Sequence, residues 1–468
     1  MIRLTTVLVL LAGTALAEST LPVSVQSALN ARNVPHDSLS VSVVDVNTGK
    51  SLLQWQSEQP RNPASTIKLV TTLVALDLLG PTYRWRTDVF ALGEIENGRL
   101  DGDLLLKGYG DPYLVTERVW QLVQQIQQAG IREIAGDLVL DDSWFDVGEY
   151  DPAAFDRQPL RAYNVAPNAL MMNFKVVRYW FEPDHGAGAV NVRLEPPLDN
   201  LQVDNRLGLA AHSCRGFQRG ITISSNEKVD EITFSGKFPS GCKRYAMDRT
   251  ALSHNEFVYG LFRTLWRDSG GTFNGGFRNA VMAGDPDALL SFASLPLTDT
   301  ISRVNKHSNN VMARQLLYTL GAEINGVPGT EEGGREVISN WLESNGLAST
   351  RISIDNGAGL SRTTRTSTAD MARMLQFAWQ QPYMPEYLSS MSLSGLDGTL
   401  RRRFVGSSLA GKAHMKTGSL DHVTAIAGYL QARSGRRFAI VAMQNYADIH
   451  RGPGEEVQEA LLRWVYEQ

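Results

Sequence analysis

Residues 62–74 read Asn-Pro-Ala-Ser-Thr-Ile-Lys-Leu-Val-Thr-Thr-Leu-Val, an apolar stretch with a serine and a lysine near its start. The spacing of its apolar residues predicts a helix that begins near Ser65. Lys68 follows three residues later, so the two side chains share one face of that helix. A serine beside a lysine at a helix start can act as a nucleophile with its base. The simpler interpretation is that Ser65 only caps the helix.

The Ser-x-x-Lys spacing alone is not specific, because it occurs three times in the chain. Ser225 with Lys228 and Ser240 with Lys243 repeat it. Both repeats fall in a region that reads as short strands, where residues three apart point to opposite faces. Only Ser65 therefore has the predicted geometry of a nucleophile.

Two further motifs follow in the chain. Residues 308–310 are Ser-Asn-Asn, within an amphipathic helical pattern that runs from Val304 to Leu320. Residues 416–418 are Lys-Thr-Gly and lead into a predicted strand. Ser-x-x-Lys, Ser-Asp-Asn and Lys-Thr-Gly, in this order, are typical of class A β-lactamases and penicillin-binding proteins. The second motif departs from that set, since it has Asn309 where the set has aspartate.

Longer segments extend the likeness. They are GYGDPYL at 108–114, GDLVLDDSWF at 136–145, NGAGLSR at 356–362 and GLDGTLRRRF at 395–404. With them, the chain resembles the class C low-molecular-mass penicillin-binding proteins, the D-alanyl-D-alanine carboxypeptidase/endopeptidases of peptidase family S13. The likeness covers essentially the whole chain after its first residues.

The resemblance implies a role for each residue of the first two motifs. Ser65 would form the acyl-enzyme, and Lys68 would be its base once burial or a nearby cation such as Lys416 lowers the lysine pKa. Ser308 would relay a proton to the departing D-alanine. Asn310 would hold Lys68 or the substrate amide.

The resemblance also implies how the substrate is bound. Lys416 and Thr417 would bind its terminal carboxylate, and the backbone N–H groups of Ser65 and Ser419 would form the oxyanion hole. Asp156 is the match for an acidic residue that meets the amino group of the peptide stem, although a solvated loop carboxylate is an equally good interpretation. No metal or organic cofactor is implied.

Three histidines flank the motifs, namely His307, His414 and His422. They raise the alternative of a Ser-His-Asp triad. A lysine base makes a histidine base unnecessary, so we expect none of the three to be catalytic.

The two ends of the chain read as parts of one sheet. Residues 40–46 and 51–55 flank a turn and predict a hairpin, while 423–430 and 437–443 predict two more strands. A helical pattern follows Gly454. Such a sheet flanked by helices is an α+β design. The resemblance makes it a penicillin-binding/β-lactamase-like transpeptidase domain split by a large insertion of two smaller domains.

The expected boundaries follow from where the pattern changes. The catalytic domain would comprise 18–87 and 267–468, inserted domain II 88–170 and 244–266, and a β-rich domain III 171–243. The separation of 240 residues from Lys68 to Ser308 is similar to that in the S13 family, whereas a β-lactamase has only a short stretch there.

The first 17 residues have the pattern of a cleavable signal peptide. Arg3 supplies a positive start, residues 7–11 are an apolar run, and Ala-Leu-Ala at 15–17 fits a cleavage site. The alternative is a buried N-terminal helix. The pattern predicts export to the periplasm and a mature chain that begins near Glu18.

Export bears on the two cysteines, Cys214 and Cys242, which are 28 residues apart. In an oxidising compartment a single local disulfide is the economical interpretation. Two unpaired buried thiols are the alternative.

Composition excludes several classes of partner. The chain carries 45 Lys and Arg against 49 Asp and Glu, for a net charge of −4, which disfavours nucleic-acid binding. No internal apolar run reaches the ~18 residues of a membrane span. The expected partners are peptidoglycan peptides, with β-lactams as covalent inhibitors. A β-lactamase and a non-catalytic cell-wall or β-lactam-binding protein of the same fold remain as alternatives.

Overall fold

The computed structural model describes residues 20–215, 220–284 and 286–468. The predicted signal peptide, residues 1–17, lies outside the described residues. Three sheets with helices packed on them form the described chain, and this confirms the predicted α+β class.

The helices of the described residues are numbered in chain order. They are α1 Val23–Ala31, α2 Lys68–Leu79, α3 Thr116–Gln128, α4 His254–Asp268, α5 Leu297–His307, α6 Asn310–Leu320, α7 Glu331–Ser344, α8 Thr368–Trp379, α9 Met384–Ser390 and α10 Pro453–Tyr466. Within these ranges, no helix combines the length and the apolar composition that crossing a membrane requires.

The strands are numbered in the same way. They are β1 Leu39–Asp45, β2 Ser51–Trp55, β3 Arg86–Glu96, β4 Arg99–Gly108, β5 Glu133–Ile134, β6 Leu138–Asp141, β7 Val176–Asp184, β8 Ala189–Glu195, β9 Gln202–Ala210, β10 Ile221–Ser225, β11 Glu231–Pro239, β12 Tyr245–Thr250, β13 Thr272–Phe273, β14 Phe277–Asn279, β15 Leu290–Ala293, β16 Ser392–Leu393, β17 Ala413–Leu420, β18 Val423–Gln431 and β19 Arg437–Asn445.

Both ends of the chain contribute to one antiparallel sheet, ordered β16-β17-β18-β19-β1-β2. Strand β1 pairs with β19 in a register that sets Leu39 opposite Gln444. Helices α1 and α10 pack on one face, and α2 and α8 belong to the core on the other. Covering both faces explains why β19 is a continuous apolar run. We call this sheet with its helices the main body.

The segment between α2 and α5 forms two further sheets. A seven-stranded sheet contains β3–β6 and β13–β15, and a six-stranded sheet, the β-rich module, contains β7–β12. The domain boundaries stay a proposal. Sheet membership favours moving 245–250 into the β-rich module, and moving 272–293 from the catalytic domain to the seven-stranded sheet.

The cysteine prediction is confirmed. Cys214 and Cys242 form a disulfide with their Cα atoms 4.7 Å apart. Cys214 follows β9 and Cys242 follows β11, so the bond joins the ends of two parallel neighbours in the β-rich module.

The predicted continuous helix from Val304 to Leu320 is wrong in one respect, because the chain breaks at Ser308. That residue is left-handed, with φ 54°, and ends α5. Asn309 then caps α6, since its side chain accepts a hydrogen bond from the backbone N–H of Met312. The periodicity continues through the break, which is why the pattern alone did not show it.

Candidate active site

The nucleophile candidate lies at the junction of two helical segments. Residues Ala64–Ile67 form a 3₁₀ turn, and α2 begins at Lys68. Ser65 does not cap this start; its Oγ lies 2.9 Å from Nζ of Lys68. The fully buried Lys68 thus faces the half-buried Ser65, as the spacing of the motif predicts.

Lys68 has two further neighbours, and both are pure acceptors. Its Nζ donates to Oδ1 of Asn310 at 2.6 Å and to the backbone carbonyl of Ala358. A neutral amine has two N–H donors and one lone pair. With the donors used in this way, the lone pair is left for the hydroxyl of Ser65.

The surroundings of Lys68 favour this neutral form. Burial lowers its pKa well below the ordinary lysine value, and the positive charges of Lys416 and Arg314 lower the pKa further. A neutral lysine within hydrogen-bond distance of a serine is a competent general base.

The break at Ser308 brings the second motif to this lysine. The left-handed Ser308 and the new helix start place Asn310 at the first turn of α6, where it reaches Lys68. Asn309 faces the helix backbone instead and acts as the cap. Asparagine and aspartate cap helices about equally well, so the departure from the Ser-Asp-Asn pattern is structurally neutral.

The third motif supplies a second buried lysine. Nζ of Lys416 on β17 donates to Oγ of Ser308 at 2.8 Å and to the carbonyl of Thr417 at 2.6 Å. Burial lowers the pKa of Lys416 to about 7. Each lysine is therefore hydrogen-bonded to one serine, Lys68 to Ser65 and Lys416 to Ser308.

The glycine of this motif is required by a close approach. A Cβ on Gly418 would lie 2.7 Å from the carbonyl of Pro63 and 3.0 Å from the backbone nitrogen of Ser65. Strand β17 therefore lies directly against the nucleophile. The hydroxyl of Thr417 donates to Thr399 at 2.9 Å, on the open side of the strand. The exposed Ser419 follows Gly418 on this strand, and its oxyanion role stays a proposal.

One loop of the site carried no role in the sequence analysis, although its segment NGAGLSR contributed to the resemblance. Asn356 donates to the carbonyl of Leu360 and accepts from the N–H of Ala358, which orients the Ala358 carbonyl toward Lys68. Gly359 has φ +75°, and a Cβ there would lie 2.0 Å from the carbonyl of Ala64. Its lack of a side chain lets the loop close on the nucleophile segment.

Arg314 is a second residue that the sequence analysis missed. Its side chain is 4 % exposed and donates to the carbonyls of Tyr163 and Val165, both at 3.2 Å. It ties the inserted segment to α6 and adds positive charge near Lys68. An arginine four residues after Asn310 on the same helix face was the available signal.

Asp156 lies in the loop just before Tyr163 and Val165, whose carbonyls accept hydrogen bonds from Arg314. Its carboxylate accepts from the hydroxyl of Tyr163 at 2.6 Å, from the side chain of Asn164 at 2.8 Å and from the backbone of Gln158 at 3.0 Å. Tyr163 itself lines the cleft that contains Ser308. The substrate role of Asp156 therefore stays a proposal beside an evident role in shaping its own loop.

The histidines lie around the site in other roles. His307 is exposed at the end of α5, and His414 is largely buried on β17 with its pKa lowered by that burial. Nδ1 of His422 accepts from the backbone N–H of Asp448 at 3.0 Å. Ser65 already has a base in Lys68, as described above.

The chain has relatives among known D-alanyl-D-alanine carboxypeptidases. The chain is 27% identical over 445 residues to the D-alanyl-D-alanine carboxypeptidase of Actinomadura sp. (strain R39), with 90% of this chain and 80% of that protein covered. It is 22% identical to the D-alanyl-D-alanine carboxypeptidase DacB of Haemophilus influenzae over 405 residues, covering 86% and 84% of the two chains.

Solved structures share the fold. The crystal structure of penicillin-binding protein 4 (dacB) from Haemophilus influenzae matches with a TM-score of 0.81 and 21% identity, over 96% of this chain and 100% of that one. The Bd0816 predatory endopeptidase from Bdellovibrio bacteriovorus, in complex with an immunity protein, matches with a TM-score of 0.54 and 17% identity, over 91% and 92%.

The model of the family described as D-Ala-D-Ala carboxypeptidase 3 (S13) matches residues 21–468. That range includes the main body, the seven-stranded sheet and the β-rich module. The chain belongs to the D-Ala-D-Ala carboxypeptidase 3 (S13) family.

Proposed function

We propose that the chain hydrolyses the terminal D-Ala-D-Ala bond of peptidoglycan stem peptides through an acyl-enzyme on Ser65. The observation that carries the proposal is the fully buried Lys68, 2.9 Å from Ser65, with its charged form disfavoured. Serine is a weak nucleophile without such a base.

In the acylation step, Oγ of Ser65 attacks the carbonyl carbon between the two D-alanines. The hydroxyl proton passes to Nζ of Lys68. Negative charge develops on the carbonyl oxygen, and the backbone N–H groups of Ser65 and Ser419 would stabilise it. One donor of this kind contributes roughly 3 kcal/mol to the transition state.

The C–N bond then breaks, and the departing amine needs a proton. The hydroxyl of Ser308 can donate it and be reprotonated by Lys416, whose Nζ lies 2.8 Å away. Lys416 and Thr417 would also bind the terminal carboxylate of the substrate, since an ammonium is a mobile partner for an anion. Water attacks the ester in the second half-reaction, releasing the shortened peptide and restoring Ser65.

The same chemistry extends to two other amides. A cross-link amide to a neighbouring stem would give DD-endopeptidase cleavage, with Asp156 near the stem amino group. A β-lactam amide would give a stable acyl-enzyme and hence inhibition. The proposed location is the periplasm, which the pattern of residues 1–17 supports.

The test combines covalent labelling with product release. The purified protein is treated with a fluorescent penicillin, and D-alanine released from a pentapeptide is measured separately. We expect a stable adduct on Ser65 and D-alanine release that the Ser65→Ala variant lacks. Rapid turnover of penicillin without D-alanine release would indicate a β-lactamase, and labelling without either turnover a binding protein.

A further inference from the structure

Two of the proposed catalytic residues, Ser308 and Asn310, line a cleft that is much larger than two alanines require. A cavity of about 1000 Å³ starts at Ser308–Asn310 and continues between the first turn of α3 and the edge of the β-rich module. This volume is at the upper end of the range for small-ligand sites, roughly 300–1,000 Å³. The cleft therefore has room for a substrate part beyond the reacting dipeptide.

An exposed tryptophan stands on the wall of this cleft. Trp120 lies in the first turns of α3 and is 49 % exposed, although the other face of that helix, with Val119 and Val123, is fully buried. Trp120 thus contributes little to the core. Thr116 and Glu117 precede it by one turn, so they share its face and also line the cleft.

The opposite wall is polar and belongs to the β-rich module. Arg178 donates to both carboxylate oxygens of Asp248, at 2.7 and 3.0 Å, and the pair keeps nearly half of its side-chain surface exposed. Glu195 and Pro196 lie beside them. A broad aromatic face opposite planar charged groups suits a ligand with both an apolar ring face and many hydroxyl or amide groups.

A strained backbone segment borders the cleft, since Asn173 and Phe174 are among its lining residues. Asn173, Phe174 and Lys175 are three consecutive left-handed residues, with φ 46°, 56° and 54°. The backbone N–H of Asn173 donates to the carbonyl of Leu114 at 2.8 Å, and its side chain accepts from the N–H of Thr116. Such strain persists only where the surroundings impose it, and it is concentrated at binding sites.

We infer that this cleft is a saccharide subsite, which binds the amino-sugar residues to which a stem peptide is attached. The C–H face of a pyranose ring would stack on Trp120, while its hydroxyl and acetamido groups meet Arg178, Asp248 and Glu195. The inference rests on the proposed function, because it takes the substrate to be a peptide carried on a glycan. It adds a second recognition element, for the sugar, to the peptide chemistry at Ser65.

The test compares two substrates that differ only in the sugar. D-Alanine release is measured from a free pentapeptide and from the same pentapeptide joined to N-acetylglucosaminyl-N-acetylmuramic acid. For the natural chain we expect a lower KM with the sugar-bearing substrate. In Trp120→Ala, the ratio of the KM for the free peptide to the KM for the sugar-bearing peptide should fall about five- to tenfold, which corresponds to the loss of one aromatic contact. Trp120→Phe should retain part of it.

The matched control is Leu92→Ala, which removes a side chain that is 40 % exposed on β3 and outside the cleft. It should change neither KM. Equal KM values for the two substrates in the natural chain, or an equal effect of Trp120→Ala on both, would overturn the subsite.

Binding to the inactive Ser65→Ala variant separates this outcome from failure of the proposed function. Calorimetric titration with the two substrates measures the sugar contribution without turnover. Tighter binding of the sugar-bearing substrate that Trp120→Ala removes would support the subsite even if no D-alanine were released. Indistinguishable affinities would reject it even if the peptide were cleaved.

Discussion

The main body contains fully buried charged side chains beside exposed ones, whereas no charged side chain in the described part of the β-rich module is buried. In the main body, Lys68 and Lys416 are fully buried at the centre of the site. In the β-rich module, the pair of Arg244 and Glu182 keeps 45% and 49% of its side-chain surface in solvent. Burying an ammonium group raises the free energy of the folded state, whereas an exposed ion pair changes it very little.

The difference favours the main body as the region of the proposed chemistry. Removing an ammonium group from water costs several kcal/mol. The two buried lysines are hydrogen-bonded to serine hydroxyls, an asparagine side chain and backbone carbonyls, and none of these partners is a carboxylate. Both respond by a lowered pKa, which is the property a proton-transfer site needs. An exposed pair adds only about 0.2–1 kcal/mol.

The largest effect is expected at the nucleophile. Ser65→Ala removes the attacking oxygen, so covalent labelling by penicillin should disappear and D-alanine release should fall by at least about 10⁴-fold. Intact-mass and peptide-mass spectrometry measure the adduct, and circular dichroism checks the fold. Ser225→Ala, which alters another Ser-x-x-Lys, is the control and should label normally. An adduct on Ser225 or Ser240 would reject the assignment.

The second effect concerns the β-rich module. Replacing Cys214 and Cys242 by alanine frees a 28-residue loop, which lowers the free energy of unfolding by roughly 3–4 kcal/mol in the chain-entropy model. The loss should be confined to the module, because both cysteines belong to it. Chemical denaturation measures the stability, and penicillin acylation reports on the main body. If acylation were lost at the same denaturant concentration as the structure of the module, the two regions would unfold together.

The third effect separates two roles of Lys416. If the residue binds the substrate carboxylate, Lys416→Ala leaves a desolvated anion poorly paired and costs roughly 1.5–3 kcal/mol, or about 10- to 150-fold in kcat/KM. A substrate amidated at its terminal carboxylate should lose less, because it keeps only the penalty that comes from the lost proton supply to Ser308. Parallel assays of the acid and amide peptides measure the difference.

The alternative is that Lys416 mainly lowers the pKa of Lys68. Removing the cation would then raise that pKa, move the acid limb of the pH–rate profile to higher pH, and reduce acid and amide substrates equally. Burial is the larger cause of the lowered pKa, ahead of Lys416. We therefore expect only a small shift of the acid limb. Equal losses on both substrates would reject the carboxylate role.

The smallest effect is expected at the exposed pair. Arg244→Ala removes the ion pair with Glu182 and the contact of its guanidinium with the ring of Trp180. Stability should fall by no more than about 1 kcal/mol, with acylation unchanged. Urea denaturation measures it. A loss well above that value would mean that surface charges matter to this module more than their exposure indicates.

Much of the site was predictable, because its chemistry lies in short motifs. The Ser65–Lys68 pair needs only a helical spacing of three, and Lys416 is marked by the glycine two residues later that lets its strand approach Ser65. The antiparallel sheet was also predictable, since its strands are apolar runs bounded by turn residues.

The remaining features depend on contacts between distant segments. The break at Ser308 lies inside a periodic pattern, so only the position of Asn309 as a cap reveals it. The carbonyl of Ala358 becomes a partner of Lys68 through backbone geometry that no side chain encodes. The pairing of β13–β15 with β3–β6 joins strands separated by the whole β-rich module, and short strands carry too little pattern to specify a partner.

The pairing of β1 with β19 has a consequence for the order in which the chain matures. Leu39 finds its partner Gln444 only after some four hundred further residues have been synthesised, and Lys416 likewise reaches Ser308 late. Contacts of such long sequence separation form slowly. Ser65, the proposed site of acylation, is thus synthesised early together with Lys68, whereas Asn310, Ala358 and Lys416 join the site only later. Until the central sheet closes, the growing chain carries Ser65 without the strand of Lys416 beside it.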